Sequence, residues 1–223
     1  MMKRSAFCFL LSPFLFSRVF VAMLLAASAS CNLLTPLAFV GQHQRVVPPE
    51  FDKLPSSRVV VLVWTDPSTL FDYPHAQFEV ASYVGEKLQT ELATRKFNTQ
   101  WVDARDVVDY VQRNRAARID PEAVGRHFDA DYVIYIEVVR FQMREPEQPQ
   151  FLRGRLDASV AVHDVRADTD QLRRYELAPV QCVHPEGGPV PLTATNAALL
   201  REATYRAFAE RVARKFYEHK IEL

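Results

Sequence analysis

Apolar and polar positions alternate between two rhythms along this chain, and the rhythm identifies each element. Arg58–Trp64 (RVVVLVW) is a short unbroken apolar run rich in β-branched residues, the signature of a strand covered on both faces. From Gln77 to Arg95 the period lengthens. Val80, Val84, Leu88 and Leu92 recur at helical spacing with Ala81 on the adjoining track, while Glu79, Glu86, Lys87 and Glu91 fall elsewhere. Asn98–Val102 reads as a second strand, and Asp103 as the start of a helix through Tyr110 and Val111. Asp120 followed by Pro121 and Glu122 opens another short helix, because an Asp cap and a proline at the first helical position suit amides that have no partner there.

The strongest strand is Asp131–Arg140 (DYVIYIEVVR), paired with Arg153–Arg166. In the latter Leu156, Ala158, Val160 and Val162 share one face and Asp157, Ser159, Ala161 and His163 the other, predicting one covered and one wetter side. Between them Arg144–Gln150 (REPEQPQ), polar and twice interrupted by proline, is expected to form a long mobile loop. A further strand over Leu172–Leu177, a Pro/Gly loop over Pro179–Pro191 and a helix from Thr195 to about His219 complete the order. That helix is expected to carry Leu199, Ala203, Phe208, Val212 and Phe216 on or near one face. The succession implies an α/β fold, a mixed sheet flanked by helices in two or three layers, with a long C-terminal helix.

Composition changes this picture little: 48% hydrophobic and 24% charged residues are ordinary globular values. The amino terminus changes it more. Lys3 and Arg4 precede an apolar core from Val19 to Ala27 and the small residues Ser28, Ala29 and Ser30 before Cys31, the layout of an export signal over residues 1–30. Leu25–Cys31 resembles the lipobox of bacterial lipoproteins, with Ser28 where the usual pattern has Leu; lipidation then falls on Cys31. Ordinary cleavage after Ala29 or Ser30 is the second fate of the segment. A retained anchor over Phe7–Ala29 is the third, against which Arg18 and Pro13 count, since a charge at mid-membrane is costly.

Asn32 is not the Asp that holds some bacterial lipoproteins at the inner membrane, which favours the outer membrane, with the domain facing the periplasm. Residues 31–56, with Pro36, Pro48, Pro49 and Pro55, read as lipid site and tether; 57–223 reads as one domain. Of the three cysteines, loss of the leader removes Cys8 and acylation uses Cys31, leaving Cys182 to be a small core hydrophobe. Removing Lys3, Arg4 and Arg18 also leaves 24 of 27 basic side chains against 27 acidic ones. That balance, with no basic stripe, excludes nucleic acid as the expected partner.

The run RVVVLVW, the segment TELATRKFNTQWVDARDVVDYV, the turn and strand VGRHFDADYVIYIEVVRF and the hairpin LRGRLDASVAVHDVRADT together resemble a periplasmic α/β domain. It is shared by the curli secretion-channel lipoprotein, the penicillin-binding-protein activator lipoproteins and the amino-terminal domain of TolB. The resemblance covers roughly residues 57 to 217 and rests on pattern more than on any invariant site. It implies a lipid-anchored envelope protein whose domain binds partner proteins or assembles with itself, without catalysis. No barrel-forming segments accompany the sheet, so a pore is not implied. No functional residue of those families is matched one by one.

Chemistry-bearing clusters are sparse. Asp103, Asp106 and Asp109 lie on one helical flank and read as a solvated face. His163 and Asp164 are adjacent on a strand and so point to opposite faces, unable to act as base and orienter. Cys182, His184 and Glu186 lack the second pair of a zinc site. No GxSxG, HExxH or P-loop occurs, and neither catalytic residue, cofactor nor metal is assigned. Gly85 is expected to permit close packing of its helix on the sheet. Tyr132, Tyr135, Phe141, Trp64 and Trp101 read as sheet and core residues ahead of a recognition patch. The expected interface is Arg144, Glu145, Glu147 and Gln148, on a polar connection at the end of a rigid hairpin. The rival reading, a periplasmic small-molecule-binding or transport-accessory protein, requires a sizeable apolar pocket.

Overall fold

The computed structural model describes residues 44–114, 120–167 and 174–222. Cys31, the leader and the first part of the expected tether therefore lie outside the described residues. No helix among the described residues is long and apolar enough to cross a membrane.

Val46–His219 form one compact unit. Its centre is β2 (Arg58–Thr65), preceded in the chain by a short strand, β1 (Gln44–Val47). After β2 come α1 (Pro67–Asp72), α2 (Ala76–Thr94), β3 (Gln100–Trp101), α3 (Ala104–Arg113) and α4 (Pro121–His127). The hairpin strands β4 (Tyr132–Glu145) and β5 (Gln148–Asp164) follow, then β6 (Arg174–His184), β7 (Val190–Pro191) and α5 (Ala194–Ala213), which ends in a 3-10 turn at Arg214–Phe216. The sheet order is β3-β2-β4-β5-β6, with β7 against β5; β2 pairs parallel with β3 and β4, and the rest is antiparallel. In the second unit, residues 1–45 with 220–223, the described chain is extended, and β1 pairs with β8 (His219–Glu222) in a two-stranded sheet.

The alternation in β2 explains the layering. Val59, Val61 and Val63 enter the larger core with α2 and α5, while Val60 and Leu62 join Val107, Val124, Ala130 and Val133 under α3 and α4. The sheet is thus covered on both faces at β2 and β4. At β5 the second cover thins, and Arg153, Arg155, Asp157 and Ser159 are half-buried opposite the buried Leu152, Leu156, Ala158, Val160 and Val162. Ahead of β2, Phe51 and Leu54 are buried in the larger core, the Phe51 ring meeting Tyr132 at 5.3 Å and Tyr175 at 5.2 Å edge to face.

Helix ends follow local chemistry. Asp103 accepts from Arg105 N at 2.7 Å, and Asp120 from Glu122 N and Ala123 N at 3.0 and 3.3 Å, both at the predicted positions. At the end of α2, Lys96 adopts φ of 62°, with Phe97 N donating to Leu92 O and Lys96 N to Ala93 O, a Schellman closure built without glycine.

Several expectations are corrected. Arg144–Gln150 is no long loop: β4 and β5 continue to a two-residue turn at Pro146–Glu147. Proline suits the turn, and Pro149 has no ladder partner because it falls in the register shift between the Arg144–Leu152 and Glu145–Gln148 pairs. Pro179 likewise sits inside β6, opposite a register shift between Ala158 and Val160, so the strand runs to His184. The second strand shrinks to two residues. The C-terminal helix stops at Ala213, and Leu199 is 61% exposed, off the buried stripe of Leu200, Thr204, Phe208 and Val212. A Cβ at Gly85 would meet nothing within 4 Å; the glycines that permit helix and sheet to touch are Gly154, whose missing Cβ would fall on Thr204, and Gly125 in α4, whose missing Cβ would fall on Val133 and Val165.

Candidate interaction site at the hairpin end

β4 outruns its parallel partner. The β2–β4 ladder ends at Thr65–Val138, whereas β4 continues seven residues to Glu145. Into the space beyond β2 the chain places α1, held by Asp66, which accepts from Ser68 N at 2.9 Å and Thr69 N at 3.1 Å and from both hydroxyls. The Ser68 hydroxyl, followed by Thr69, holds the Asp66 carboxyl well below the usual range. Tyr73, which follows α1, tilts against Phe141 at 4.4 Å, and Phe141 in turn stacks on Tyr205 at 5.3 Å. Burial pushes the phenols of Tyr73 and Tyr205 up, so both stay protonated.

A groove of about 510 Å³ follows β4 here, between Asp72 and Tyr73 on one side and Phe141, Gln142, Met143, Arg144 and Pro146 on the other. A contiguous hollow of about 340 Å³ shares Tyr73, Met143 and Arg144 and is completed by Leu152, Leu192, Ala197 and Arg201. Phe71, on α1, is 87% exposed, and Val139 71%.

Of the four predicted interface residues the structure brings Arg144 alone into the groove wall. Glu145 turns to Arg155, 2.7 Å away, while Glu147 and Gln148 are exposed at the turn and just after it. Tyr73, Arg201 and Leu192 were missed because they come from other elements. Their convergence depends on where α1 and α5 land, for which the chain carries no local signal.

The remaining candidates disperse. Asp103, Asp106 and Asp109 are exposed, as expected of a solvated face. His163 is 7% exposed, its ring edge-on to Tyr135, and burial followed by Arg174 holds its pKa below the ordinary value. Cys182 is fully buried, its Sγ 3.9 Å from Thr204 O, with burial pushing its thiol up, while Glu186 pairs with Arg211 at 2.8 Å. Among the described residues no group of three or more His, Cys, Asp or Glu is placed to hold a metal ion. Phe141 is buried, and Tyr132, Tyr135 and Trp101 pack half-buried against the two cores. A second cleft, about 570 Å³, lies between α2 and the β3–α3 corner, with Phe78, Ala81 and Gly85 facing Trp101, Asp103 and Arg105.

Fold and groove together define a mixed-sheet α/β domain with an open surface at its hairpin end. No known protein family and no curated protein matches the sequence. Among solved structures the chain is similar to the PelC dodecamer of Paraburkholderia phytofirmans, at 10% identity over 78% of this chain and 98% of that one, with a TM-score of 0.43. It is also similar to lipoprotein GNA1162 of Neisseria meningitidis, at 14% identity, 69% and 99% coverage and a TM-score of 0.35. A third is the hypothetical protein CT253 of Chlamydia trachomatis, at 11% identity, 71% and 96% coverage and a TM-score of 0.36.

Proposed function

We propose that this chain is a lipid-anchored protein of the bacterial cell envelope, acylated at Cys31, whose α/β domain acts without catalysis as an assembly or protein-interaction module. The observation that carries the reading is the position of Cys31, directly behind a basic start, an apolar core and a run of small residues. Asn32 in the next position favours the outer membrane, with the domain facing the periplasm. The interaction surface is the hairpin end, where Arg144, Glu145, Glu147 and Gln148 stand on the most extended strand pair of the domain. Its partners are other envelope proteins or further copies of the chain.

The test is the intact mass of the membrane-extracted protein, followed by fractionation of a Cys31→Ala variant. A mature chain beginning at acylated Cys31, and a variant released from membranes, are the expected results. An unmodified chain starting at Cys31 overturns the anchoring. The cleft beside β3 favours a second reading, a periplasmic small-molecule-binding protein, because it sets apolar Phe78 and Trp101 beside the charged Asp103 and Arg105.

A further inference from the structure

The unpaired stretch of β4 has a periodicity of its own. Phe141 and Met143 turn toward the large core, whereas Arg140, Gln142 and Arg144 are exposed on the opposite face. On the β2 side residues 139–145 pair with no strand among the described residues, the Tyr73 phenol lying against the Met143 backbone, and a strand edge without a partner strand is a template for one more strand. The groove runs beside that edge, and Arg201 joins Arg144 around the hollow at its end.

We infer that the free edge of β4 is a strand-docking site for an extended segment of a partner protein in which apolar side chains alternate with carboxylates. This rests on the hairpin end being the interaction surface of the proposed function. Main-chain hydrogen bonds to β4 supply the attachment, and alternate side chains supply the choice of partner. On one face the segment lays its apolar side chains beside Phe141, Met143 and Tyr73. On the other, its carboxylates lie across from Arg140 and Arg144. Arg140 is 3.6 Å from Asp157 and Asp72 stands on the groove wall, so the guanidinium of Arg144 carries most of the preference.

Charge selects among the possible occupants. A second copy pairing antiparallel about Gln142 would set Arg140 against Arg144, and like charges directly opposite are destabilising.

The experiment uses the detergent-solubilised full-length protein and two fluorescein-labelled peptides of alternating residues, one Val-Glu and one Val-Lys, read by anisotropy at low salt. The Val-Glu peptide binds about tenfold or more tightly than the Val-Lys peptide, and Arg144→Glu, with unchanged thermal melting, reverses the order. A Val-Glu peptide N-methylated at alternate amides loses about tenfold or more, because it cannot form the ladder; this arm needs no variant to fold. Absence of binding, equal affinity for the two peptides, or indifference to N-methylation overturns the inference. Acylation of Cys31 is read separately by mass, so a failed peptide experiment with acyl-Cys31 intact leaves the anchoring in place.

Discussion

Thr204 is fully buried in the middle of α5, where its hydroxyl donates to Leu200 O at 2.7 Å and so is satisfied within its own helix. That leaves its flank free to lie directly on the backbone of β5 at Gly154, a contact that any Cβ would obstruct. Gly154→Ala therefore pushes α5 off the sheet, with an expected loss of about 3 kcal/mol, read as a lower urea midpoint at unchanged slope. Beside it, Cys182 is enclosed and its thiol held protonated, which makes it inert as a nucleophile. Iodoacetamide is expected to modify Cys182 at the rate of global unfolding, checked by mass spectrometry across a denaturant series. The burial of Cys182 was legible from its being a lone thiol. The role of Gly154 was not, because a glycine's function depends on what faces it, and Gly85 carried the same letter in open space.

Elements whose pattern is internal were legible; those whose extent depends on neighbours were not. β2 announced burial on both faces because Val59 to Trp64 are all apolar, and α2 announced its inner face through Val80, Val84, Leu88 and Leu92. The turn at Pro146–Glu147 was hidden, since prolines that usually break a strand here fall on a turn and a register shift. Phe51 and Leu54, isolated near prolines, carry no periodic signal although both are buried. The end of α2 shows a related blind spot. Lys96 occupies a left-handed position normally marked by glycine, so no stop signal is visible there. Lys96→Gly is expected to raise stability by about 1 kcal/mol, measured by urea denaturation, since it relieves a conformation that side chains disfavour.

At the scale of the whole domain, stability is tied to pH through His163. Burial lowers its pKa in the folded state below the ordinary 6.5, so between the two values the unfolded chain binds more protons. The contribution is fully present above pH 6.5 and declines as pH falls toward the folded-state value. The prediction is that the stability difference between the wild type and His163→Gln narrows from pH 8 to pH 5, followed by urea midpoints at each pH. Placing His163 on a strand was possible from sequence; its burial followed from where α4 lies, a tertiary fact. The same holds for the site: Arg144 was visible as a polar residue near a hairpin tip, whereas the groove exists because β4 is longer than β2 and α1 stops short of filling the difference.

Glu50 binds the incoming chain to two other elements at once: Oε1 meets Lys215 Nζ at 2.8 Å, and Oε2 accepts from Ala178 N at 2.7 Å. Lys215 O in turn accepts from Glu50 N and Phe51 N. Because this knot and the hairpin tip lie at opposite ends of β4, tension between the two is directed along the strand. Ladder hydrogen bonds run across that direction. Force would then load the bonds of β4 to β2 and β5 together in shear instead of opening them one after another, making the domain a stiff strut between whatever holds each end.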